Sequence, residues 1–147
     1  MERRDEKNLG ELIELLEGAF EEVHIIQRRA TEALFLLRAE CRYRNFRVKI
    51  TEIVDNQGRN YSFYLLRGDT VIVGFDNSED RRAQILKYGK RNWKKHFRER
   101  VPHLHTFDRK EMRLTDEMSV VDFITWLRDY LDIYLADYPT ASSNIEG

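Results

Sequence analysis

The sequence predicts an α+β fold, namely a four-stranded antiparallel β-meander packed against N-terminal and C-terminal helices, with a basic helical insertion after the fourth strand. Apolar residues recur every third or fourth position near both ends of the chain. Between residues 33 and 75 they alternate with polar residues, and turn-forming residues separate the alternating runs. The length of 147 residues suits one domain. We assign that domain to residues 1–138 and expect residues 139–147 to form a flexible tail.

The first predicted element is an amphipathic helix from Leu9 to Gln27. Its apolar stripe consists of Leu9, Leu12, Ile13, Leu16, Phe20, Val23 and Ile26. Glutamates fill the gaps, so the outer face is acidic. Because a sheet follows directly, we expect the apolar stripe to pack on that sheet.

Four strands are predicted next. They cover residues 33–43, 46–51, 61–65 and 71–75, and each alternates apolar and polar side chains. Asn45, the run Asp55-Asn56-Gln57-Gly58 and the pair Gly68-Asp69 provide the turns between them. The polar face of this sheet, with Arg38, Lys49, Ser62 and Tyr64, is expected to remain open while helices cover the other face.

The insertion that follows is strongly basic. Ser78 is a candidate N-cap, residues 81–100 form a predicted basic helix that Gly89 interrupts, and Pro102 ends it. This stretch has nine basic residues and one acid, Glu99, although the whole chain has a net charge of only −1. Residues 111–147 have a net charge of −6. Such segregation of charge indicates a partner of opposite charge.

The end of the chain is predicted to hold a short strand and a helix. The strand covers Met112 to Leu114, and Ser119 begins the helix with Asp122 three residues later. The helix stripe consists of Val120, Phe123, Ile124, Leu127, Tyr130, Leu131 and Tyr134.

Cysteine content and hydropathy indicate the compartment. Cys41 is the sole cysteine, so no internal disulfide or cysteine metal cluster forms, and its alternation with Ala39 and Tyr43 predicts a buried strand residue. No apolar run approaches the roughly 18 residues that a membrane span needs. We therefore expect a cytoplasmic protein without a membrane partner.

Three histidines near the basic stretch are candidate catalytic residues. His96, His103 and His105 lie within ten positions, and imidazole exchanges protons near neutral pH while cations stabilise a phosphoryl oxyanion. This combination suits metal-independent RNA cleavage. The alternative is that His103 and His105 are loop residues that only hydrogen-bond to the sheet.

A metal site is a second alternative for the histidines. His103 and His105 lie on the same side of an extended segment, and Asp76, Asp108 or Glu111 would complete a ligand set. Paired cysteines and a His-Glu-x-x-His spacing are both missing from the sequence. The prediction is therefore that the protein needs no metal and no cofactor.

The basic stretch is a candidate nucleic-acid surface. Its cations recur every third or fourth position, so several share a face of the predicted helix, and aromatic residues lie between them. The candidate phosphate-binding residues are Arg82, Lys87, Lys90, Arg91, Lys94, Lys95 and Arg98. The interleaved aromatic residues are Tyr88, Trp93 and Phe97. The alternative is a solvated helix whose aromatic residues anchor it to the core.

The order of these features resembles a known toxin family. Phe75-Asp76-Asn77 is followed by Pro102-His103-Leu104-His105, and Tyr61-Ser62-Phe63-Tyr64 lies on the preceding strand. Over about residues 33–131 this pattern is similar to the TumE-type toxins of prokaryotic toxin–antitoxin modules. Asp76, Asn77, His103 and His105 match the recurrent motif, whereas Tyr64 matches only a sheet position. In the family a short loop with a further histidine joins the two motifs; here the basic helix takes its place, and His96 is the candidate replacement.

The resemblance implies a small toxin that a cognate antitoxin neutralises, with ribonuclease activity. The leading hypothesis is therefore a type II toxin that acts on RNA. His103, His105 and His96 are its candidate acids and bases, Asp76 and Tyr64 complete the catalytic set, and an acidic antitoxin segment covers the basic surface.

Two other hypotheses remain open. In one, the chain is a non-catalytic module that binds nucleic acid or an acidic protein through the basic helix 81–100. In the other, that helix pairs with the acidic first or last helix of a second copy, which gives a homodimer.

Overall fold

The computed structural model describes the backbone of residues 2–137 and the side chains of residues 6–137, and it confirms an α+β fold with an antiparallel sheet. The sheet has seven strands instead of the predicted four, arranged in chain order. The strands are β1 (Glu21–Ala30), β2 (Phe35–Tyr43), β3 (Phe46–Asp55), β4 (Gly58–Arg67), β5 (Thr70–Asp76), β6 (His103–His105) and β7 (Met112–Leu114). The helices are α1 (Glu2–Ala19), α2 (Arg81–Tyr88) and α3 (Val120–Asp137). The predicted tail, 139–147, lies outside the described residues.

The predicted helix to Gln27 is wrong in its second half, because α1 ends at Ala19 and β1 begins two residues later. Val23 and Ile26 continue the helical spacing of α1 and so extended the prediction. However, the run from Val23 to Ile26 is rich in β-branched residues, which pack well on a sheet. β1 pairs irregularly with β2, and Glu22 has a φ of 50° near the first irregularity.

The three predicted turns between β2 and β5 are confirmed as two-residue hairpin loops. Tyr43 pairs with Phe46, Asp55 with Gly58, and Arg67 with Thr70. In the last of these, Gly68 has a φ of 57°, a left-handed conformation that glycine adopts without steric cost. The alternating pattern and the turn residues therefore predicted these strand pairings correctly.

The segment after β5 differs from the prediction in two ways. The predicted interruption of the basic helix at Gly89 is confirmed, because α2 ends at Tyr88 and Gly89 has a φ of 86°, but the predicted helical second half is wrong, because only a short 3₁₀ turn, Trp93–His96, follows. His103 and His105 are in a strand and not in a loop: Asp76 pairs with His103, and Gly74 pairs with His105. Beyond β6, the predicted strand Met112–Leu114 is confirmed as β7.

The core lies between one face of the sheet and the helices α1 and α3. α1 contributes Leu9, Ile13 and Leu16; α3 contributes Val120, Phe123, Ile124, Leu127 and Leu131. Phe123 stacks on Phe63 of β4, with ring centroids 5.5 Å apart. α3 begins as predicted, since the Asp122 amide donates to Ser119 Oγ and the Ser119 amide donates to the Asp122 carboxylate.

Cys41 is buried in this core, as predicted, and burial raises the pKa of its thiol to about 12. Arg38, Lys49, Ser62 and Tyr64 lie on the opposite face, as predicted, and none of the four is buried. Among residues 2–137, no helix combines the length and the apolar character that crossing a bilayer requires.

Candidate functional site

Five residues meet on the open face where β4, β5 and β6 lie side by side. Tyr64 pairs with Gly74, Gly74 pairs with His105, and Asp76 pairs with His103. Successive side chains of a strand alternate between faces, so these pairs place all five residues on one side of the sheet. Asp76, His103 and His105 are nevertheless buried. We call Tyr64, Asp76, His103 and His105 the buried cluster.

Asp76 is the hub of the buried cluster. Its Oδ1 accepts hydrogen bonds from the amide of Ser78 at 2.9 Å and from the hydroxyl of Ser78 at 2.7 Å. Its Oδ2 accepts from the Tyr64 hydroxyl at 2.9 Å and lies 3.2 Å from His105 Nε2. His103 Nε2 lies 3.1 Å from Oδ1. Burial alone would raise the pKa of Asp76, but its contacts with His103, His105 and Ser78 outweigh burial and hold the pKa well below its usual range.

The ring of His103 has a defined orientation. Its Nδ1 lies 2.6 Å from the backbone carbonyl of Val101, and a carbonyl only accepts, so Nδ1 carries a hydrogen. In a neutral ring Nε2 then has no hydrogen, and its lone pair faces the Asp76 carboxylate. Lone pairs on Nε2 and on the carboxylate oxygen repel each other, so a positive charge on or beside Nε2 would stabilise this arrangement. Burial lowers the pKa of His103, but Asp76 and the Val101 carbonyl outweigh burial and raise it.

His105 completes the cluster with one unsatisfied atom. Its ring lies edge-on to that of His103, with centroids 4.9 Å apart. Its Nε2 faces Asp76, whereas its Nδ1 is buried without a hydrogen-bond partner among the described residues. A buried polar atom without a partner is costly, so such atoms are retained mainly where they have a role.

Tyr64 connects the buried cluster to solvent. Its ring lies directly over Gly74, where a Cβ atom would come within 2.8 Å of the ring. The missing side chain of Gly74 thus lets the Tyr64 hydroxyl reach Asp76. Burial and the Asp76 charge together raise the pKa of Tyr64, so its hydroxyl remains a proton donor at neutral pH.

The other side of Tyr64 borders a cavity of about 550 Å³ on the open face, which we call the open-face pocket. It is lined by Lys49, Thr51, Ser62, Tyr64, Leu66, Asp69, Val71, Asp108 and Arg109. The guanidinium of Arg109 lies 5.2 Å from the centre of the Tyr64 ring, within the range of a cation–π contact. The pocket thus combines two cations and two acids with hydroxyl groups and one aromatic ring.

The turn that carries Asp108 and Arg109 is strained. Asp108 has a φ of 53° and Arg109 a φ of 59°, a left-handed conformation that is costly for residues other than glycine. Strain of this kind concentrates at functional sites. Sequence reasoning missed Arg109, because nothing in the letters Asp-Arg signals two consecutive left-handed residues.

The stretch 81–100, which we call the basic segment, folds around its one acid. Glu99 accepts from Lys87 Nζ at 3.0 Å and from the Tyr88 hydroxyl at 2.6 Å, and it lies 3.1 Å from His96 Nδ1. The rings of Tyr88 and His96 stack with centroids 3.6 Å apart. These contacts fold the 3₁₀ turn back on α2.

Most predicted phosphate-binding residues are exposed. Lys87 is engaged by Glu99, whereas six of the seven have no side-chain ion pair with any residue between 6 and 137: Arg82, Lys90, Arg91, Lys94, Lys95 and Arg98. The aromatic residues are not the core anchors of the alternative interpretation, because Phe97 is 56% exposed and Trp93 is half-buried beneath the Arg81 guanidinium.

The structure brings together four of the five predicted catalytic residues: Tyr64, Asp76, His103 and His105. It places His96 with Tyr88 and Glu99 instead. Comparison of this chain with protein-family models, with curated proteins and with solved structures finds no match.

Asn77, which matched the toxin motif, has a structural role. Its side-chain oxygen accepts from the Tyr61 amide and its side-chain nitrogen donates to the Arg59 carbonyl, both at 2.9 Å. The Asn77 amide thus replaces a strand residue beside β4, at the point where β5 ends.

Proposed function

We propose that this protein binds RNA through the basic segment. The observation that carries the proposal is the set of exposed cations around the 3₁₀ turn, centred on Lys90, Arg91, Lys94 and Lys95. Exposed cations attract a phosphate backbone and release its counterions. A solvated face in a near-neutral protein would ordinarily mix both signs of charge, and here the one acid faces inward to Lys87, Tyr88 and His96.

Exposed aromatic surface beside these cations favours a single-stranded target. Phe97 is next to Arg98, whose guanidinium lies 5.3 Å from the phenyl centre. Bases stack on such rings without regard to sequence, and in duplex RNA they are already stacked on each other. The expected ligand is therefore single-stranded RNA, bound with little sequence preference.

The basic segment is also held in a defined conformation, which supports binding. The Gln84 side-chain amide donates to the carbonyls of Phe97 and Glu99 at 2.8 and 3.1 Å. These hydrogen bonds hold the end of the basic segment against α2. Cations on an ordered loop lose less conformational entropy on binding than cations on a mobile one.

Charge reversal tests this proposal. Lys94→Glu/Lys95→Glu should weaken binding of a fluorescent single-stranded RNA at least tenfold and lower the slope of log affinity against log salt by about 1 or more. Arg28→Glu/Arg29→Glu is the matched control, because it reverses two adjacent exposed cations on β1. An equal loss in both variants would mean that only net charge matters and would contradict a dedicated surface.

A second candidate function is RNA cleavage by a toxin of a toxin–antitoxin module, and the open-face pocket favours it. Lys49 and Arg109 border the pocket together with Tyr64. Cations placed beside a phosphoryl group stabilise the charge that develops during cleavage, while the Tyr64 hydroxyl donates its hydrogen to Asp76 and so fixes the position of the ring beside them. His103 and His105 are too buried to touch RNA, so they would act as positioning residues through Asp76 and Tyr64.

A toxin of this kind would have an antitoxin as its protein partner. A cognate antitoxin with an acidic segment would neutralise the protein by covering the basic segment, since opposite charges speed association and fix orientation. The arrangement that competes with antitoxin binding is a homodimer, in which the basic segment of one copy would lie against the acidic surface of α3 in the other.

Induced expression distinguishes the two candidate functions. If the chain is an RNA-cleaving toxin, the wild type should arrest growth and degrade cellular RNA, and Tyr64→Phe or Arg109→Ala should relieve both effects. Lys49→Ala tests the third pocket group in parallel. Intact RNA and normal growth with the wild type, together with RNA binding in vitro, would leave the binding function and exclude cleavage.

A further inference from the structure

The buried cluster has the dimensions of a metal site. Nitrogen atoms of His103 and His105 and an oxygen atom of Asp76 all lie within 4.8 Å of one another. His103 Nε2 and His105 Nε2 lie 3.1 and 3.2 Å from the carboxylate oxygens of Asp76. In a tetrahedral zinc site with bonds of roughly 2.0–2.1 Å, neighbouring ligand atoms are about 3.3 Å apart. Each histidine nitrogen therefore already lies at about this spacing from one oxygen of Asp76, and the whole set is compact enough to surround one ion.

The orientation of His103 is that of a metal ligand. Its Nδ1 donates to the Val101 carbonyl, which leaves the Nε2 lone pair directed into the cluster. This Nε2 is fully buried and makes no aligned hydrogen bond within residues 6–137. Metal-binding histidines commonly donate their other ring nitrogen to a carbonyl in this way, because the hydrogen bond fixes the tautomer and the ring orientation.

The carboxylate of Asp76 is held in the same manner. Ser78 donates to Oδ1 through its amide and its hydroxyl, and Tyr64 donates to Oδ2. Asp76 and His103 are directly paired across β5 and β6, so the backbone fixes their separation. Outer hydrogen bonds and rigid supporting elements are what a metal site requires.

We propose that Asp76, His103 and His105 bind a zinc-class divalent ion, with a water molecule as the fourth ligand. Two imidazoles and one carboxylate suit Zn²⁺, whereas Mg²⁺ and Ca²⁺ prefer oxygen ligands. The ion supplies the positive charge that the facing lone pairs of His103 and Asp76 call for. It replaces the hydrogen bond between Asp76 and His105 Nε2 with two metal bonds, and the hydrogen of the neutral His105 ring is then on Nδ1, because a nitrogen that binds a metal needs its lone pair. The competing occupant is a proton on His103 Nε2.

Of the other acids that the sequence offered for such a site, neither joins the cluster. Asp108 is exposed and borders the open-face pocket, and Glu111 is exposed with its backbone paired to Thr106. Asp76 is therefore the acid that completes the ligand set. This proposal is independent of RNA binding, because none of the three residues belongs to the basic segment.

The test uses full-length protein freed of metal with a chelator. Addition of Zn²⁺ at about 100 times its dissociation constant should raise the melting temperature by about 8 to 12 °C. Co²⁺ should give the intense visible absorption of a tetrahedral site. His105→Asn should abolish both responses, whereas His24→Gln/His96→Gln, which removes the two histidines outside the cluster, should retain both.

Two results would overturn the proposal. One is a wild-type protein that neither gains stability with Zn²⁺ nor gives a tetrahedral Co²⁺ spectrum. The other is loss of both responses in His24→Gln/His96→Gln, which would assign the metal to the exposed histidines. If His105→Asn does not fold, the Co²⁺ spectrum of His24→Gln/His96→Gln decides, since only the cluster histidines remain in that protein. RNA binding measured in the same chelator-treated protein reports separately on the proposed function.

Discussion

The buried cluster and the basic segment differ in how far their ionisable groups are exposed to water. The cluster encloses Asp76 with two histidines on the sheet, whereas the basic segment turns its one acid inward and leaves most of its cations in water. In the sequence the basic segment is followed within five residues by His103 and His105. The structure separates these two histidines from the basic segment, whose own histidine, His96, stacks on Tyr88 and faces Glu99. Nearness in sequence is therefore a poor guide to shared chemistry in this region.

The comparison is tested most severely by removing the acid at each centre. Asp76→Ala should lower the free energy of unfolding by about 3 to 5 kcal/mol, because it leaves the buried rings of His103 and His105 and the half-buried Tyr64 hydroxyl without their shared partner. Glu99→Ala should cost less than about 1 kcal/mol, because its partners can turn to water. Urea denaturation of both variants with chelator present measures the difference. Similar losses would show that the two centres do not differ as described.

A smaller effect is expected when Tyr64 is displaced from the cluster. Gly74→Ala places a Cβ atom against the Tyr64 ring, so we expect a loss of about 1 to 3 kcal/mol in denaturation. Gly10→Ala is the control, since no atom lies within 4 Å of the added carbon and α1 should gain stability from alanine. A tolerated Gly74→Ala would mean that Tyr64 does not depend on this close approach.

Two tyrosines hydrogen-bonded to carboxylates give a finer comparison. Tyr64→Phe removes the bond to buried Asp76 and should cost about 1 to 2 kcal/mol. Tyr88→Phe removes the bond to Glu99 in the basic segment and should leave the urea midpoint unchanged, because water replaces the lost donor. Equal midpoints for both variants would place the Asp76 carboxylate in a more hydrated environment than the structure gives it.

The smallest effect on stability is expected from Lys94→Glu/Lys95→Glu. Both side chains are exposed and without an ion pair in the described part of the chain, so the free energy of unfolding should change by less than about 0.5 kcal/mol. The same variant is the one expected to lose RNA affinity. A large loss of stability would instead assign these lysines to the fold and remove them as evidence for binding.

The sequence predicted the elements whose signals are local. β2 to β5 follow from alternation and turn residues, and α3 follows from its stripe and the Ser119–Asp122 pair. β1 was missed because Val23 and Ile26 fit the helical period of α1 as well as a strand. The break at Gly89 was predicted from the glycine, whereas the 3₁₀ turn that replaces the second half of the helix packs through contacts of Glu99, and the residue spacing gives no sign of them.

The sequence predicted which residues form the buried cluster but did not predict that they are buried. Asp76, His103 and His105 were chosen from a motif and Tyr64 from a sheet position, and the four side chains do meet. Their burial could not be foreseen, because it requires that His103 to His105 form a strand beside β5, a pairing between residues 27 to 31 positions apart in the chain. Arg109 reached the open-face pocket through two left-handed residues that no pattern indicates.

The pairing of Asp76 with His103 also has a consequence for how the chain can change. The chain leaves the sheet at Asp76 and returns at His103, directly across a strand pair, so the two ends of the intervening stretch are neighbours whatever lies between them. Closing a longer or shorter loop between fixed neighbours changes the entropy only slowly with length. The loop between Asp76 and His103 can therefore vary in length at little entropic cost while the pairing of these two residues is kept.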